Sequence, residues 1–439
     1  MSLLENSLTL PCGAEIPNRL AKAAMTEGLA SADGLPTAEL ERLYGEWSDG
    51  GAGLLLSGNI QVDRQHLERP GNVIVDRPAD AKMQAALARW AAAATRNGNQ
   101  FWGQISHAGR QTQKIINPQP KAPSAVKLGL PGGQFGQPVA LTADEIEEIV
   151  RRFGVCAGAL KEAGFSGVQI HAAHGYLLSQ FLSPRSNQRS DQYGGSLVNR
   201  ARALLDCVAA VRQAVGAAFP VAVKLNSADF QKGGFAFEES LQVAQWLQEA
   251  GVDLIEISGG TYEQPKLLGL AGIEEEEPQQ LPKSASSTQM REAYFIEFAQ
   301  AMRAKVSIPL MVTGGFRRRA VMLQALESGA ADLIGLGRPL CVMTHAPRQL
   351  FDGLEELPRY EESLSLFPRW LSGLTSITFF KTLAGFAVQY WYFAQIDAIG
   401  RSGKADPELS VFSATRQTMK QALRLARDAK KALKNSGSK

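Results

Sequence analysis

Eight short apolar runs, each succeeded by a longer stretch of helical spacing, punctuate the chain: RLAKAAM (19–25), AGLLLSG (52–58), NQFWGQIS (99–106), FSGVQIH (165–171), PVAVKLN (220–226), VDLIEIS (252–258), IPLMVTG (308–314) and ADLIGLG (331–337). Near-continuous apolar runs of this length suit parallel strands buried on both faces. The stretches between them include AKMQAALARWAAAATRNG, ADEIEEIVRRFGVCAGALKEAG and EESLQVAQWLQEAG; the last two end in Gly, as a helix C-cap does. Eight β-then-α units predict an α/β fold, a (β/α)8 TIM barrel rather than a doubly wound sheet. The leading LTLPCGAEIP reads as an N-terminal β-hairpin that plugs the barrel's bottom.

In such barrels the chemistry sits at the C-terminal ends of the strands. The residues at and just beyond the end of each run are therefore informative: Thr26 and Glu27; Ser57, Gly58 and Asn59; Gln104 and His107; His171, His174 and Tyr176; Lys224 and Asn226; Ser258; Gly314 and Gly315; Gly337 and Arg338. Polar, cationic and glycine residues collect on one rim. Two long connections leave that rim, from Ala108 to about Thr142 and from Thr261 to about Gln289, and each is a candidate lid. About a hundred residues lie beyond Arg338. They divide the chain into a barrel over 1–345 and an aromatic-rich, largely helical extension over 346–439. Within LFPRWLSGLTSITFFKTLAGFAVQYWYFAQ, Arg369 and Lys381 interrupt the apolar run, so no stretch reaches the ~20 residues that span a bilayer. This segment is expected to pack on the barrel or on a partner subunit, with little weight on membrane contact. The tail TRQTMKQALRLARDAKKALKNSGSK reads as a basic amphipathic helix that frays at its end.

Composition narrows the class without naming it. Across 439 residues, 45% hydrophobic and 20% charged, the net charge is +3, which implies no field for nucleic acid. Four cysteines (Cys12, Cys156, Cys207, Cys341) show no CxxC spacing and read as reduced thiols of a cytoplasmic protein. The N-terminus lacks the pattern of a signal peptide.

The rim residues suggest chemistry. Gly314, Gly315 and Gly337 let backbone N–H groups approach an anion, and Arg338 adds a bidentate donor, which together favour a phosphate. Thr26, Gln104 and Lys224 match the edge of a flavin ring: a hydroxyl for the C4 carbonyl, an amide for the imide, and a cation near N1 and the C2 carbonyl. A strand-end lysine equally serves as a Schiff-base nucleophile, so a phosphate-binding lyase built on Lys224 stays open. His171 and His174, three apart, share a face and can polarise a carbonyl oxygen, while Tyr176, a weak acid with a pKa near ~10, can supply a proton. The competing use of these imidazoles, with His107, is a three-nitrogen metal site; no metal is assigned.

The segments NRLAKAAMTEG, GQISHAGRQ, GVQIHAAHGYLLSQFLSPRSNQRSDQYGGS, VAVKLNSADF and LIGLGRPL together resemble the old yellow enzyme family, FMN-dependent ene-reductases of the NADH:flavin oxidoreductase type. The resemblance spans Leu8 to Leu340 and is most specific in the long fourth-strand segment. It implies non-covalent FMN, with NADH or NADPH as reductant, and a small-molecule enone or enal whose C=C bond is reduced by ping-pong hydride transfer. It further implies that His171 and His174 bind the substrate's carbonyl oxygen and Tyr176 protonates its α-carbon. Ala24 and Thr26 would contact the flavin, Gly58, Gln104 and Lys224 would flank the ring, and Gly314, Gly315, Gly337 and Arg338 would take the phosphate. The chain departs from the branch that carries an iron–sulfur cysteine cluster, having only Cys341 in that region, and its aromatic extension is unlike shorter bacterial ene-reductases. A flavin-dependent NAD(P)H oxidase, in which oxygen reoxidises the ring, and a homo-oligomer both stay open.

Overall fold

A computed structural model of the chain describes residues 2–130, 133–258, 296, 298–366 and 378–436, with side chains in the last segment given for 384–429 and 431. The eight runs become eight parallel strands: β1 (Leu20–Lys22), β2 (Leu54–Gln61), β3 (Gln100–Ser106), β4 (Gly167–Ala172), β5 (Val221–Asn226), β6 (Leu254–Ser258), β7 (Leu310–Thr313) and β8 (Leu333–Leu336). Each pairs with the next, and β8 returns to β1 through Ile334↔Leu20, so the barrel closes. Between them lie α1 (Ala38–Asp49), α2 (Ala81–Ala94), α3 (Ala143–Glu162), α4 (Leu197–Val215), α5 (Phe237–Glu249) and α6 (Arg319–Glu327). The C-terminal glycines of α3 and α5 sit one residue past the cap: Gly164 has φ +90° and Gly251 φ +79°. There Phe165 N reaches Leu160 O and Val252 N reaches Leu247 O, each at 3.0–3.1 Å, closing Schellman turns.

Alternation along the strands sorts the barrel interior into levels. At the bottom, Ala21, Leu54, Leu56, Trp102, Ala222, Leu254, Met311 and Leu333 form one apolar cluster with Leu8, Leu10 and Ile16 of the N-terminal hairpin, which pairs Leu8↔Ile16 and plugs the barrel as expected. Two residues further along, the same inward faces carry Gln104, Gln169, Lys224 and Glu256, and two further still His171, Asn226 and Ser258. The core is apolar at its base and polar at its mouth.

The extension packs on the barrel. Helix α7 (Thr378–Ser402) lies against α1: Arg42 Nη1 donates to Gly400 O at 2.7 Å, and a Cβ on Gly400 would stand 2.9 Å from Leu29. Arg69, in the loop after β2, stacks its guanidinium 4.1 Å from the Phe393 ring centroid. Helix α8 (Val411–Ser436) packs on α7 in turn. The long loop after β3 carries a two-residue strand pair, Lys121–Ala122 with Val139–Ala140. The second predicted lid, Thr261 to Gln289, and residues 367–377 of the aromatic segment lie outside the described residues. Among the described residues no helix is long and apolar enough to cross a membrane.

Candidate active site

The strand ends bring a polar chain together inside the barrel. Gln104 Nε2 donates to Gln169 Oε1 at 2.7 Å, Gln169 Nε2 donates to Glu256 Oε2 at 2.7 Å, and Glu256 Oε1 meets Lys224 Nζ at 2.9 Å. All four are buried. A buried ammonium needs such a partner, because an unpaired charge in this environment costs several kcal/mol, about 3–5. The sequence points to Gln104 and Lys224 here but not to Gln169 and Glu256. The signal for the latter two is faint, single polar letters two positions before His171 and Ser258 within the apolar runs FSGVQIH and VDLIEIS.

Above this chain stand the three residues of the HxxHxY segment. The His171 ring centroid lies 5.2 Å from that of His174 and 4.8 Å from that of Tyr176. Burial, with the Lys224 charge adding to it, holds both imidazoles well below the usual histidine range, so both are neutral near pH 7. Each neutral ring offers one N–H and one lone pair. His171 Nδ1 is buried and has no hydrogen-bond partner among the described residues. His174 Nε2 lies 2.6 Å from Ser258 Oγ. The backbone at His174 has φ +60°, uncommon for a non-glycine residue, and Asn226 Oδ1 steadies it by accepting the His174 N–H at 3.0 Å. Asn226 and Ser258 face one another across the β5–β6 register. Tyr176 is buried and forms the N-cap of the short helix Leu177–Leu182.

His107 does not join this pair. Its ring stacks on His66 at 4.6 Å, and both face Asp63, with His66 Nδ1 at 3.0 Å and His107 Nε2 at 3.8 Å from the carboxylate. Each ring's other nitrogen already accepts a backbone N–H: His66 Nε2 from Lys121 and His107 Nδ1 from Gly109. The lone pairs a metal would use are therefore engaged, and Arg152 lies 3.2 Å from Asp63. The three-nitrogen arrangement weighed from the sequence does not form.

At the tips of β1 and β2, Gly58 N donates to Glu27 Oε1 at 2.7 Å. A Cβ on Gly58 would fall 2.2 Å from Glu27 Oε2, so only glycine fits. Glu27 also accepts from Tyr44, whose hydroxyl lies 3.0 Å from Lys22 Nζ. Lys22 points outward from β1 toward α1, and burial lowers its pKa to about 8. The Thr26 side chain hydrogen-bonds to Glu68, a half-buried carboxyl that desolvation pushes up. Ala24 precedes these residues on the same connection, half-buried.

Next to them around the mouth, Gly314 and Gly315 come directly after β7, with Gly315 at φ +75°, and Gly337–Arg338 directly after β8, the strand that pairs with β1. Arg338 Nη1 bonds Glu361 Oε1 at 3.2 Å, and its remaining donors have no partner among the described residues. Glu361 also meets Arg317 at 3.1 Å and accepts from Tyr392 of α7 at 2.7 Å, which ties the extension to this end of the barrel. The mouth thus presents amide and ammonium groups along one edge and a glycine–arginine pair at the other. That donor set fits FMN.

A barrel with this mouth is that of a flavin-dependent oxidoreductase. The chain belongs to the NADH:flavin oxidoreductase / NADH oxidase family, whose model matches residues 12–356. Its cofactor is accordingly FMN, with a nicotinamide dinucleotide as reductant. It is 38% identical over 360 residues to the NADH-dependent flavin oxidoreductase iliE of Hypocrea jecorina, covering 78% of this chain and 87% of that one. It is equally 38% identical to the protein of the same name from a Neonectria species, of whose length it spans 46%. Among solved structures, morphinone reductase in complex with tetrahydroNAD superposes with a TM-score of 0.64 at 25% identity, covering 81% of this chain and 92% of that one. The old yellow enzyme homologue from Zymomonas mobilis shares the fold, with a TM-score of 0.67 at 24% identity over 84% of this chain and 98% of that one.

Proposed function

We propose that this chain reduces the C=C bond of α,β-unsaturated carbonyl compounds, enones or enals, drawing electrons from NADH or NADPH in two half-reactions at one site. Bound FMN supplies the two-electron exchange between nicotinamide and alkene. Ala24, Thr26, Gly58, Gln104 and Lys224 hold the ring, and Gly314, Gly315, Gly337 and Arg338 hold the phosphate. His171 and His174 act as neutral donors to the carbonyl oxygen, drawing charge from the β-carbon and stabilising the negative charge that develops on oxygen. Tyr176 delivers its phenolic proton to the α-carbon. The carrying observation is the buried Nδ1 of His171, without a partner among the described residues, beside the rings of His174 and Tyr176. A buried polar atom without a partner is costly unless a ligand completes it.

The lyase alternative has less support, because Lys224 sits in a buried ion pair with Glu256, 2.9 Å from Oε1, whereas a Schiff-base lysine attacks as a free amine. The oxidase alternative rests on the family's own description, which includes NADH oxidases. Rapid-mixing kinetics on Tyr176→Phe test the proposal. Reduction by NADH should be unchanged while reoxidation by an enone slows by about a hundredfold or more, the usual weight of a general acid. Equal slowing of both half-reactions would remove Tyr176 from its role, and reoxidation by oxygen as fast as by enone would favour the oxidase.

A further inference from the structure

The outer face of α8 plays no part in the site, yet it gathers exposed apolar side chains. Six large apolar side chains are exposed among the described residues, and three of them, Phe412, Met419 and Leu423, lie on this helix at 67%, 51% and 54% exposure. Spacings of seven and four residues align them in one stripe. Arg416, Lys420 and Arg427 run beside that stripe, all exposed and none in an ion pair with a described residue. Toward α7 the same cationic side opens into a groove of about 520 Å³ edged by Arg401, Arg416, Lys420 and Arg424. The opposite face is committed: Val411, Ala414 and Thr418 are buried, and Gln417 and Gln421 donate to Asp397 of α7 at 3.2 and 3.1 Å. The helix is thus docked on the protein with its apolar stripe outward.

Charge is distributed to match. Residues 411–439 hold eight of the 46 lysines and arginines but only one of the 43 acids, so the rest of the chain is net negative. An apolar stripe flanked by unneutralised cations fits a surface that is itself apolar below and anionic above. A second copy using this same face would bring like charges together across a two-fold axis. A nucleic acid would leave the Phe412–Leu423 stripe against phosphate.

We propose that α8 docks the enzyme on anionic phospholipid bilayers, with Phe412, Met419 and Leu423 entering the acyl boundary and the arginines and lysines engaging headgroup phosphates. The sequence argues against membrane contact only through the interrupted aromatic segment; the docking element is the helix after it, which lies on the surface and does not span.

The test is co-sedimentation of the full-length holoenzyme with vesicles of phosphatidylcholine alone or with about 30% phosphatidylglycerol. Binding is expected to the anionic vesicles only, falling steeply between about 0.1 and 0.5 M salt. Each cation contributes about fivefold near such a surface, so Arg416→Gln/Lys420→Gln/Arg427→Gln should lose about a hundredfold in partitioning. Phe412→Ser/Met419→Ser/Leu423→Ser should also release the protein, with flavin content and NADH turnover in solution unchanged. Equal binding to both vesicle types, or none, would overturn the proposal. So would a dimer in light scattering that the apolar triple variant converts to monomer, which would make this face an interface between copies.

Discussion

Ser258 stands where the chemistry of His174 is decided. Its hydroxyl is 2.6 Å from Nε2, and it makes no other side-chain hydrogen bond among the described residues. In the tautomer that carries its proton on Nε2, the neutral imidazole has only that N–H to give there, so a carbonyl oxygen arriving at His174 Nε2 must compete with Ser258 for it. His171, whose Nδ1 has no such competitor, binds without displacing anything. Ser258→Ala should therefore lower the KM for an enone by about three- to tenfold, the worth of one neutral hydrogen bond, and leave flavin reduction by NADH unchanged. Steady-state kinetics with the enone varied measure it. A raised KM would mean instead that Ser258 orients His174 and is needed in the bound state, which Ser258→Thr, keeping the hydroxyl, would restore.

Among the elements, β4 shows how a strand can be legible in type but not in detail. Its apolar run and its His-rich exit are readable, because buried parallel strands have a recognisable pattern and their C-terminal ends carry polar residues. The reason for Gly167 is not readable: a Cβ there would stand 2.5 Å from the Trp102 ring of β3, a contact between residues 65 apart in sequence. Glu256 is hidden in the same way, since its partner Lys224 lies on a neighbouring strand and only register brings them side by side. Glu361 is hidden further, being outside every motif and reaching the mouth only because the extension folds back. Local pattern thus carries the strand order and most rim residues, while pairings across strands need the closed barrel. The Trp102 contact yields a prediction. Gly167→Ala should destabilise by about 1–3 kcal/mol through overpacking, read as a lower urea midpoint, and Trp102→Leu in the same chain should recover much of it. Since Gly167 lies four residues below His171 on β4, enone kinetics should be little changed. No loss of stability would show that the barrel floor is looser than its packing implies.

Across the whole molecule, buried neutral histidines set an acid limit on stability. His107 is held down to about 4 by burial, with His66 beside it, against an ordinary value of 6.5. Between those two values the unfolded chain takes up a proton that the folded chain refuses, so stability falls as pH drops from about 6.5 toward 4, by up to about 3 kcal/mol for this one group. His171 and His174, both depressed, push the same way from the same starting pH. Glu68 and Asp229 oppose them, because burial raises both and the folded chain gains stability as each protonates before its unfolded counterpart. The depressed Asp63 adds a further loss, but only below its ordinary value of 3.8. Overall curves therefore mix signs, and a variant isolates one contribution. His107→Gln keeps a side-chain acceptor for the Gly109 N–H and cannot titrate. Measured by urea unfolding from about pH 7.5 to 4.5, wild type should lose stability faster than His107→Gln on acidification, and the gap between them should narrow by about 2–3 kcal/mol. A gap that stays constant over that range would mean His107 titrates in the folded protein as it does in the unfolded chain, and that the stacked pair around Asp63 is open to water.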